Sequence, residues 1–265
     1  HQTLDVTGSP FFEDPELLSL QSRAIAYVMS DVGVHLRGPA GMGKTTLALR
    51  IADRLGRPTA FITGDKWLTR AELVGREVGY SAYSSVDNYI NRVRRTESQV
   101  RADWQDAILT EAMRKGFTLI YDEFTRAPPQ TNAVLLSVLE ERFLVIHDPL
   151  AGQSRLEAHP EFRIILTSNP HDYVGVEHAP DALMDRLVTF DLDELSADTE
   201  SGIVAVQTGL PQAEARGLVD LVRTLRTLPS EGDEASLTAL PTSIRTALLT
   251  GRLVAARGVQ VSPAD

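Results

Sequence analysis

The sequence predicts an α/β protein built on a parallel sheet and followed by a smaller all-helical part. Two observations predict this fold class. As far as Asp193, five short apolar segments alternate with segments of helical periodicity, which is typical of parallel strands joined by right-handed helical crossovers. After Asp193 only helical periodicity remains. We therefore expect an α/β domain over residues 1–194 and a helical domain over residues 195–265.

The predicted elements follow from apolar periodicity and from the residues that end each segment. Gly56 and Gly116 each follow the last apolar residue of a helical pattern, where glycine is the usual stop signal. The predicted strands are residues 32–36, 59–62, 118–122, 163–167 and 187–192. The predicted helices are residues 16–30, 44–55, 104–115, 132–142, 197–207, 213–228 and 242–257.

Two stretches interrupt this alternation. Residues 64–101 contain glycines and paired tyrosines that indicate a hairpin or loop insertion, with a helix expected over residues 86–93. Residues 143–162 carry two prolines and a glycine between apolar ends, which predicts a second hairpin-like excursion.

Composition and charge exclude several classes of protein. The 265 residues are 43% hydrophobic and 23% charged, as in an ordinary globular protein, and the net charge of −10 disfavours a general nucleic-acid binder. The absence of cysteine excludes disulfide scaffolds, thiolate zinc sites and cysteine nucleophiles. No apolar run approaches the ~20 residues of a membrane span, and residues 1–30 lack the pattern of a signal peptide. The expected location is the cytoplasm, with no membrane partner.

A phosphate-binding loop is predicted between the first strand and the second helix. Its residues match the pattern G-x-x-x-x-G-K-[ST], in which glycines let backbone N–H groups and a helix N-terminus surround a phosphate. We expect Lys44 to contact the β- and γ-phosphates of ATP and the Thr45 hydroxyl to ligate Mg²⁺. The residues expected to bind the nucleotide here are Gly38, Pro39, Ala40, Gly41, Met42, Gly43, Lys44, Thr45 and Thr46.

Two adjacent carboxylates, Asp122 and Glu123, end the third predicted strand. On their own they would be explained best as a solvated strand end that caps the next helix. With a phosphate-binding loop in the chain, Asp122 is expected to support Mg²⁺ and Glu123 to accept a proton from the water that attacks the γ-phosphate. An acid placed to activate water favours hydrolysis over transfer to a small acceptor.

Three further polar residues are candidates for the same site. Asn169 follows the fourth strand and can reach the attacking water, but an asparagine that opens a turn before Pro170 fits the sequence equally well. Arg186 and Arg245 both have the alternative of being solvated helix arginines. Their functional interpretation is an arginine finger for Arg186 and a nucleotide sensor for Arg245, since the phosphoryl transition state needs cations.

The order and spacing of these motifs resemble the AAA+ ATPases over nearly the whole chain. Residues 38–45 are similar to the Walker A motif and residues 119–123 to Walker B. Asn169 matches sensor 1, Arg186 the arginine finger and Arg245 sensor 2. The resemblance implies a five-stranded parallel sheet in the order 5-1-4-3-2, a helical lid, ATP and Mg²⁺ as cofactors, and a ring of identical chains, six by analogy. Arg186 would act in the neighbouring chain's site.

Longer segments resemble one family within the MoxR-like branch. Residues 116–126 and 132–140 are similar to gas vesicle protein N, as are residues 86–90, 159–163 and 167–170. This resemblance implies an accessory ATPase needed to build gas-filled protein shells, acting with other accessory or shell proteins in the cytoplasm and at the vesicles. The excursions near 72–85 and 143–162 resemble the helix-2 insert and pre-sensor hairpin of that branch.

Three rival functions stay open at this point. The first is a MoxR-type activator that remodels a metalloenzyme together with a von Willebrand-type partner. The second is a nucleotide-gated scaffold that does not hydrolyse ATP. A DNA-remodelling protein is the third, and the net charge of −10 and the lack of a recognisable DNA-binding domain argue against it.

Overall fold

The structure, a computed structural model, describes residues 12, 14–86, 96–148, 152–170, 181–192, 195–227 and 243–257. Its strands are β1 (Gly33–Arg37), β2 (Thr59–Thr63), β3 (Gly75–Val86), β4 (Thr96–Asp106), β5 (Thr118–Asp122), β6 (Phe143–Asp148), β7 (Gly152–Glu157), β8 (Arg163–Ser168) and β9 (Leu187–Asp191). Its helices are α1 (Pro15–Met29), α2 (Lys44–Arg54), α3 (Arg70–Leu73), α4 (Ile108–Lys115), α5 (Pro129–Asn132), α6 (Leu135–Glu140), α7 (Asp181–Met184), α8 (Ala197–Thr208), α9 (Gln212–Thr227) and α10 (Ile244–Arg257).

Five parallel strands form the central sheet in the order β2-β5-β8-β1-β9. Counted as the five predicted strands and read from the other edge, this is the order 5-1-4-3-2. The predicted fold class, and the strand order that the family resemblance implies, are therefore confirmed. Because all five strands run the same way, the polar residues that follow β1, β5 and β8 meet at one edge of the sheet.

Both faces of the sheet are buried, which explains why its strands are continuous apolar runs. Along β5, Leu119 and Tyr121 belong to a core cluster shared with α4 and α6, whereas Ile120 belongs to a second cluster shared with α1 and α2. Each such side chain is fully buried and stabilises the fold by roughly 1.5–3 kcal/mol. The alternation of side chains along a strand thus holds one helical layer on each face.

The predicted helix over residues 104–115 is wrong at its start. Trp104 and Asp106 belong to β4, where they pair with Glu77 and Gly75 of β3. The Trp104 indole N–H donates to the Asp106 carboxylate at 2.8 Å, and helix α4 begins only at Ile108. The apolar spacing that predicted a longer helix was overridden by pairing with a strand almost thirty residues earlier in the chain.

Both excursions are antiparallel hairpins, β3–β4 and β6–β7, which confirms the hairpin predictions. The helix expected over residues 86–93 lies outside the described residues apart from Val86, which ends β3. The helix expected over 132–142 is instead two short helices, because α5 begins at Pro129 and ends at Asn132, and α6 runs from Leu135 to Glu140.

Among the described residues after β9, the regular elements are the helices α8, α9 and α10. Val204 of α8, Val219 of α9 and Ala247 of α10 share a separate buried cluster. The division into two domains stays a prediction. Among the described residues, no helix combines the length and apolarity needed to cross a membrane.

His35 lies in the middle of β1 with a fully buried side chain. Its Nε2 is 2.8 Å from the Ser168 hydroxyl and its Nδ1 is 3.1 Å from the Thr189 hydroxyl. Burial, reinforced by the nearby Arg37 and opposed by Asp191, lowers the pKa of His35 from 6.5 to about 4. The imidazole is therefore neutral in the folded protein at neutral pH.

This histidine predicts a loss of stability in mild acid. The unfolded chain takes up the His35 proton below pH 6.5 and the folded chain only near pH 4, so stability falls as pH drops through that window. We expect His35 to account for about 2 kcal/mol of lost unfolding free energy between pH 7 and pH 5. Urea unfolding at both pH values, for the wild type and for His35→Gln, measures it. An equal pH dependence in the two proteins would contradict the assignment.

Candidate active site

A cavity of about 350 Å³ lies at the carboxyl ends of β1 and β5, where parallel sheets place their ligands. Its volume is at the low end of the range for small-molecule sites. Its lining comes from the phosphate-binding loop, from the two adjacent carboxylates, and from the helical part of the chain. From the helical part, the lining includes Leu195, Ile203, Gln207, Ile244, Arg245, Leu248 and Arg252.

The phosphate-binding loop connects β1 to α2 in the conformation that its glycines allow. Gly43 has φ 77° and precedes the first residue of α2, a left-handed conformation that residues with a Cβ rarely adopt. Gly43 has no side chain to cap this helix, and the N-terminus of a helix favours a bound anion. Gly41 allows the start of α10 to pack closely, since a Cβ there would lie 2.8 Å from that of Ser243.

Lys44 is folded back onto the loop. Its Nζ donates to the carbonyl oxygens of Gly38 at 2.8 Å and Pro39 at 2.7 Å, and only 8% of the residue is exposed. The positive charge is therefore held beside the α2 N-terminus, where both the cation and the helix dipole favour an anion.

One oxygen of the Asp122 carboxylate joins Thr45 of α2 to Thr167 of β8. Its Oδ1 accepts hydrogen bonds from the Thr45 hydroxyl at 2.8 Å and from the Thr167 hydroxyl at 2.6 Å. Because the Thr45 proton points to Asp122, the lone pairs of that hydroxyl remain available to a cation. One hydroxyl and one carboxylate beside a phosphate site suit Mg²⁺, which takes few protein ligands and fills its shell with water and phosphate oxygens.

Glu123 lines the cavity next to Asp122 and has a left-handed backbone, with φ 50° and ψ 39°. Its N–H donates to the Thr167 hydroxyl at 2.9 Å. Its carboxylate accepts from the Arg126 guanidinium at 2.5 Å, and 34% of the Glu123 side chain is exposed. The carboxylate thus lies beside the phosphate-binding loop and within reach of water.

A buried chain of hydrogen bonds holds the turn after Glu123 in place. The Tyr121 hydroxyl donates to the Asn132 side-chain oxygen at 2.8 Å, and the Asn132 amide donates to the Phe124 carbonyl at 2.9 Å. Burial raises the pKa of Tyr121, so its hydroxyl keeps the proton that this chain requires. These residues link β5, the 3₁₀ turn at Phe124–Arg126 and α5 into one unit.

The other three predicted site residues lie in different places. Arg245 lines the cavity in the first turn of α10, and its Cγ is 3.9 Å from where a Cβ on Gly41 would be. Asn169 is half-buried and directly follows β8, at the same edge of the sheet as the cavity. Arg186 precedes β9 and lies at the opposite edge, where Leu187 pairs with Gly33. Their roles stay predictions.

Sequence reasoning missed Thr167, which contacts both carboxylate residues, and the lid residues Gln207 and Arg252, which line the cavity. Thr167 lies at the carboxyl end of the fourth predicted strand, but its contacts follow only once β5 is placed beside β8. Nothing in the sequence marks Gln207 or Arg252, because their position depends on how α8 and α10 pack.

Phe12 and Asp14, which precede α1, contact α8 beside the cavity. Phe12 lines the cavity and packs directly against Gly202 of α8, where any larger residue would collide with the ring. Asp14 caps α1 through the N–H groups of its first turn and also accepts from the Thr199 hydroxyl of α8 at 2.8 Å. Burial alone would raise the pKa of Asp14, but these hydrogen bonds lower it below its usual value.

Comparisons with known proteins agree with this fold and site. Residues 33–187 match the AAA domain of the dynein-related subfamily. Gas vesicle ATPase GvpN of Ancylobacter aquaticus is 42% identical over 97% of the chain, and GvpN2 of Halobacterium salinarum is 38% identical over 82%. The chain spans 70% and 63% of the lengths of these two relatives. Protein CbbQ of Hydrogenophilus thermoluteolus is 30% identical over 79% of the chain, which covers 71% of CbbQ.

Among solved structures, NtrX from Brucella abortus in complex with ATP has a TM-score of 0.56 and 17% identity. The match covers 97% of this chain and 52% of NtrX, and at this identity it supports the fold. Together the comparisons confirm the predicted family, its nucleotide-binding fold and its activity class, an ATPase. This chain belongs to the gas vesicle ATPase GvpN family of AAA ATPases.

Proposed function

We propose that the chain hydrolyses ATP and uses the energy to remodel other proteins during gas vesicle assembly. The observation that carries this proposal is the convergence of Lys44, Thr45, Asp122 and Glu123 on one cavity. These residues supply a phosphate-binding cation, a hydroxyl and a carboxylate for Mg²⁺, and a base for water. The gas vesicle role is supported by 42% identity to a gas vesicle ATPase over 97% of the chain.

Binding would begin at the phosphate-binding loop. The β- and γ-phosphates of ATP lie against the N–H groups of α2, and Lys44 exchanges the carbonyls of Gly38 and Pro39 for phosphate oxygens. Thr45 and Asp122 would hold Mg²⁺, which neutralises phosphate charge when bound. Arg245, in the first turn of α10, contacts the nucleotide from the lid within the same chain.

Hydrolysis then depends on Glu123. A water oxygen attacks the γ-phosphorus while its proton passes to the Glu123 carboxylate, and the bond from the γ-phosphorus to its bridging oxygen breaks to leave ADP and phosphate. Asn169, at the same edge of the sheet, orients the water through its neutral amide. The guanidinium of Arg126 holds Glu123 beside the cavity before this step.

Arg186 would complete the site of a neighbouring chain. It lies at the amino end of β9, and a five-residue strand separates that end from the cavity edge by roughly 16 Å. Its guanidinium pairs with Glu140 at 2.5 Å, and Arg186 is not among the described residues that line the cavity of its own chain. A cation so placed can stabilise transition-state charge only across an interface, which supports a ring, with six chains proposed from the family resemblance.

A mixing experiment tests the shared site. Arg186→Ala and Lys44→Ala should each be nearly inactive alone, the first lacking the finger and the second its own phosphate site. Mixed, they should recover part of the ATPase activity, because a Lys44→Ala chain supplies Arg186 to its neighbour's intact loop. The matched control is Arg155→Ala, which removes an exposed arginine paired with Glu157 and should stay active. Absence of recovery in mixed oligomers of confirmed composition would contradict the proposal.

The assembly role is tested by affinity capture from a gas-vesicle-forming host, with Glu123→Gln as bait in ATP. Enrichment of vesicle shell or accessory proteins over a Lys44→Ala bait supports the proposal. The similarity to CbbQ supports the alternative, a MoxR-type activator, and capture of a metalloenzyme subunit would favour it. Phosphate release by the purified wild type, alone and with the captured partners, separates both from a scaffold that does not hydrolyse ATP.

A further inference from the structure

Thr167 occupies a central position that the residues assigned to the site do not explain. It lies near the carboxyl end of β8, between β5 and β1, and its side chain is fully buried. Its hydroxyl is 2.6 Å from Oδ1 of Asp122 and 2.9 Å from the backbone nitrogen of Glu123. One hydroxyl therefore joins the proposed metal-supporting residue to the proposed base.

The direction of these two hydrogen bonds follows from their chemistry. The Glu123 N–H can only donate, so the Thr167 oxygen accepts from it. The single Thr167 proton is then left for Asp122, whose ionised carboxylate accepts it. Since the Thr45 hydroxyl donates to the same Oδ1, two hydroxyls fix the orientation of the carboxylate.

The backbone at Glu123 adds a reason for such a contact. Its φ of 50° is unfavourable for a residue with a side chain and persists only where the surroundings hold it. The Thr167 hydroxyl binds the N–H of Glu123, and the Arg126 N–H binds its carbonyl at 3.0 Å. Hydrogen bonds to both the N–H and the carbonyl of Glu123 thus fix the direction in which its side chain projects.

We propose that Thr167 is a positioning residue that orients Asp122 toward Mg²⁺ and Glu123 toward the attacking water. This inference rests on the proposed function for its catalytic half. Its metal half concerns only how Asp122 is held. Removing the hydroxyl takes away one of the two donors to Oδ1 of Asp122 and leaves the Glu123 N–H without its partner. Both the affinity for Mg²⁺ and the rate of ATP hydrolysis should therefore fall.

The test compares Thr167→Val, which keeps the shape and removes the hydroxyl, with Thr167→Ser, which keeps the hydroxyl. The control is Thr110→Val, because the buried Thr110 hydroxyl donates to the Val74 carbonyl at 2.5 Å and takes no part in the site. Two quantities are measured for each protein. One is the Mg²⁺ concentration at half-maximal thermal stabilisation by the non-hydrolysable analogue adenylyl imidodiphosphate, and the other is kcat for phosphate release.

We expect Thr167→Val to raise the Mg²⁺ midpoint and to lower kcat, each by about 10-fold or more, as for other groups that orient a metal ligand. Thr167→Ser should stay near the wild type in both. Thr110→Val should lower the melting temperature and leave the Mg²⁺ midpoint unchanged. A wild-type midpoint in Thr167→Val, an equal loss in Thr167→Ser, or an equal shift in Thr110→Val would each overturn the proposal.

These outcomes are separable from a failure of the proposed function. If the wild type releases no phosphate, hydrolysis is wrong, yet the Mg²⁺ midpoint still tests how Thr167 holds Asp122. If Glu123→Gln retains full turnover, Glu123 is not the base. In that case the catalytic half of the proposal is wrong, and the Mg²⁺ midpoint still tests the metal half. A shifted midpoint in Thr167→Val with a normal midpoint in Thr110→Val would support the metal half of the proposal in either case.

Discussion

Glu123→Gln is expected to lose ATP turnover by about 10²- to 10⁴-fold while nucleotide binding survives. The amide keeps the size of the side chain but cannot accept a proton from water. The binding groups are untouched, since Lys44 bonds to the loop and Asp122 is held by Thr45 and Thr167. The variant would therefore bind ATP without hydrolysing it.

Phosphate release and titration with a fluorescent ATP analogue measure the two halves of this prediction. The matched control is Glu157→Gln, the same change at an exposed glutamate of β7 that pairs with Arg155. It should leave both measurements unchanged. Full turnover in Glu123→Gln would remove Glu123 from the role of base, and loss of binding would assign it to the nucleotide site instead.

Lys44→Ala is expected to weaken ATP binding by about 100-fold, with turnover lost as a consequence. The lysine is 8% exposed and its ammonium group already sits against the loop carbonyls, so it meets the phosphates without a large rearrangement. Charge-assisted hydrogen bonds to phosphate contribute about 1.5–3 kcal/mol each, and about 3 kcal/mol corresponds to the expected loss of affinity.

Isothermal titration with ATP and Mg²⁺ measures the change in affinity. Lys115→Ala is the matched control, because it removes the same charge from an exposed lysine of α4 that pairs with Glu111. An affinity for ATP in Lys44→Ala within threefold of the Lys115→Ala value would contradict the role of Lys44.

Some of this site could be predicted from the sequence because its physics is local. A glycine-rich turn between an apolar strand and a helix is the setting in which a phosphate-binding loop forms, and Gly43 does adopt the left-handed conformation that the pattern requires. The apolar runs over residues 118–122 and 163–167 predict buried strands, whose carboxyl ends must coincide in a parallel sheet.

Other parts depend on contacts between residues far apart in the chain. Trp104 has helical spacing, yet pairing with Glu77 makes it part of a strand. The placement of Arg245 at the cavity follows only from how α10 packs on the phosphate-binding loop. Thr167 is an ordinary strand residue until β5 is placed beside β8.

The contacts of Phe12 and Asp14 with α8 hold that helix at one side of the cavity. Separating α8 from α1 would break the hydrogen bond from Thr199 to Asp14 and withdraw Gly202 from Phe12. Ile203 and Gln207 of α8 line the cavity, so these two contacts couple the position of one cavity wall to Phe12 and Asp14. Any movement of α8 away from α1 would carry the free-energy cost of breaking both contacts.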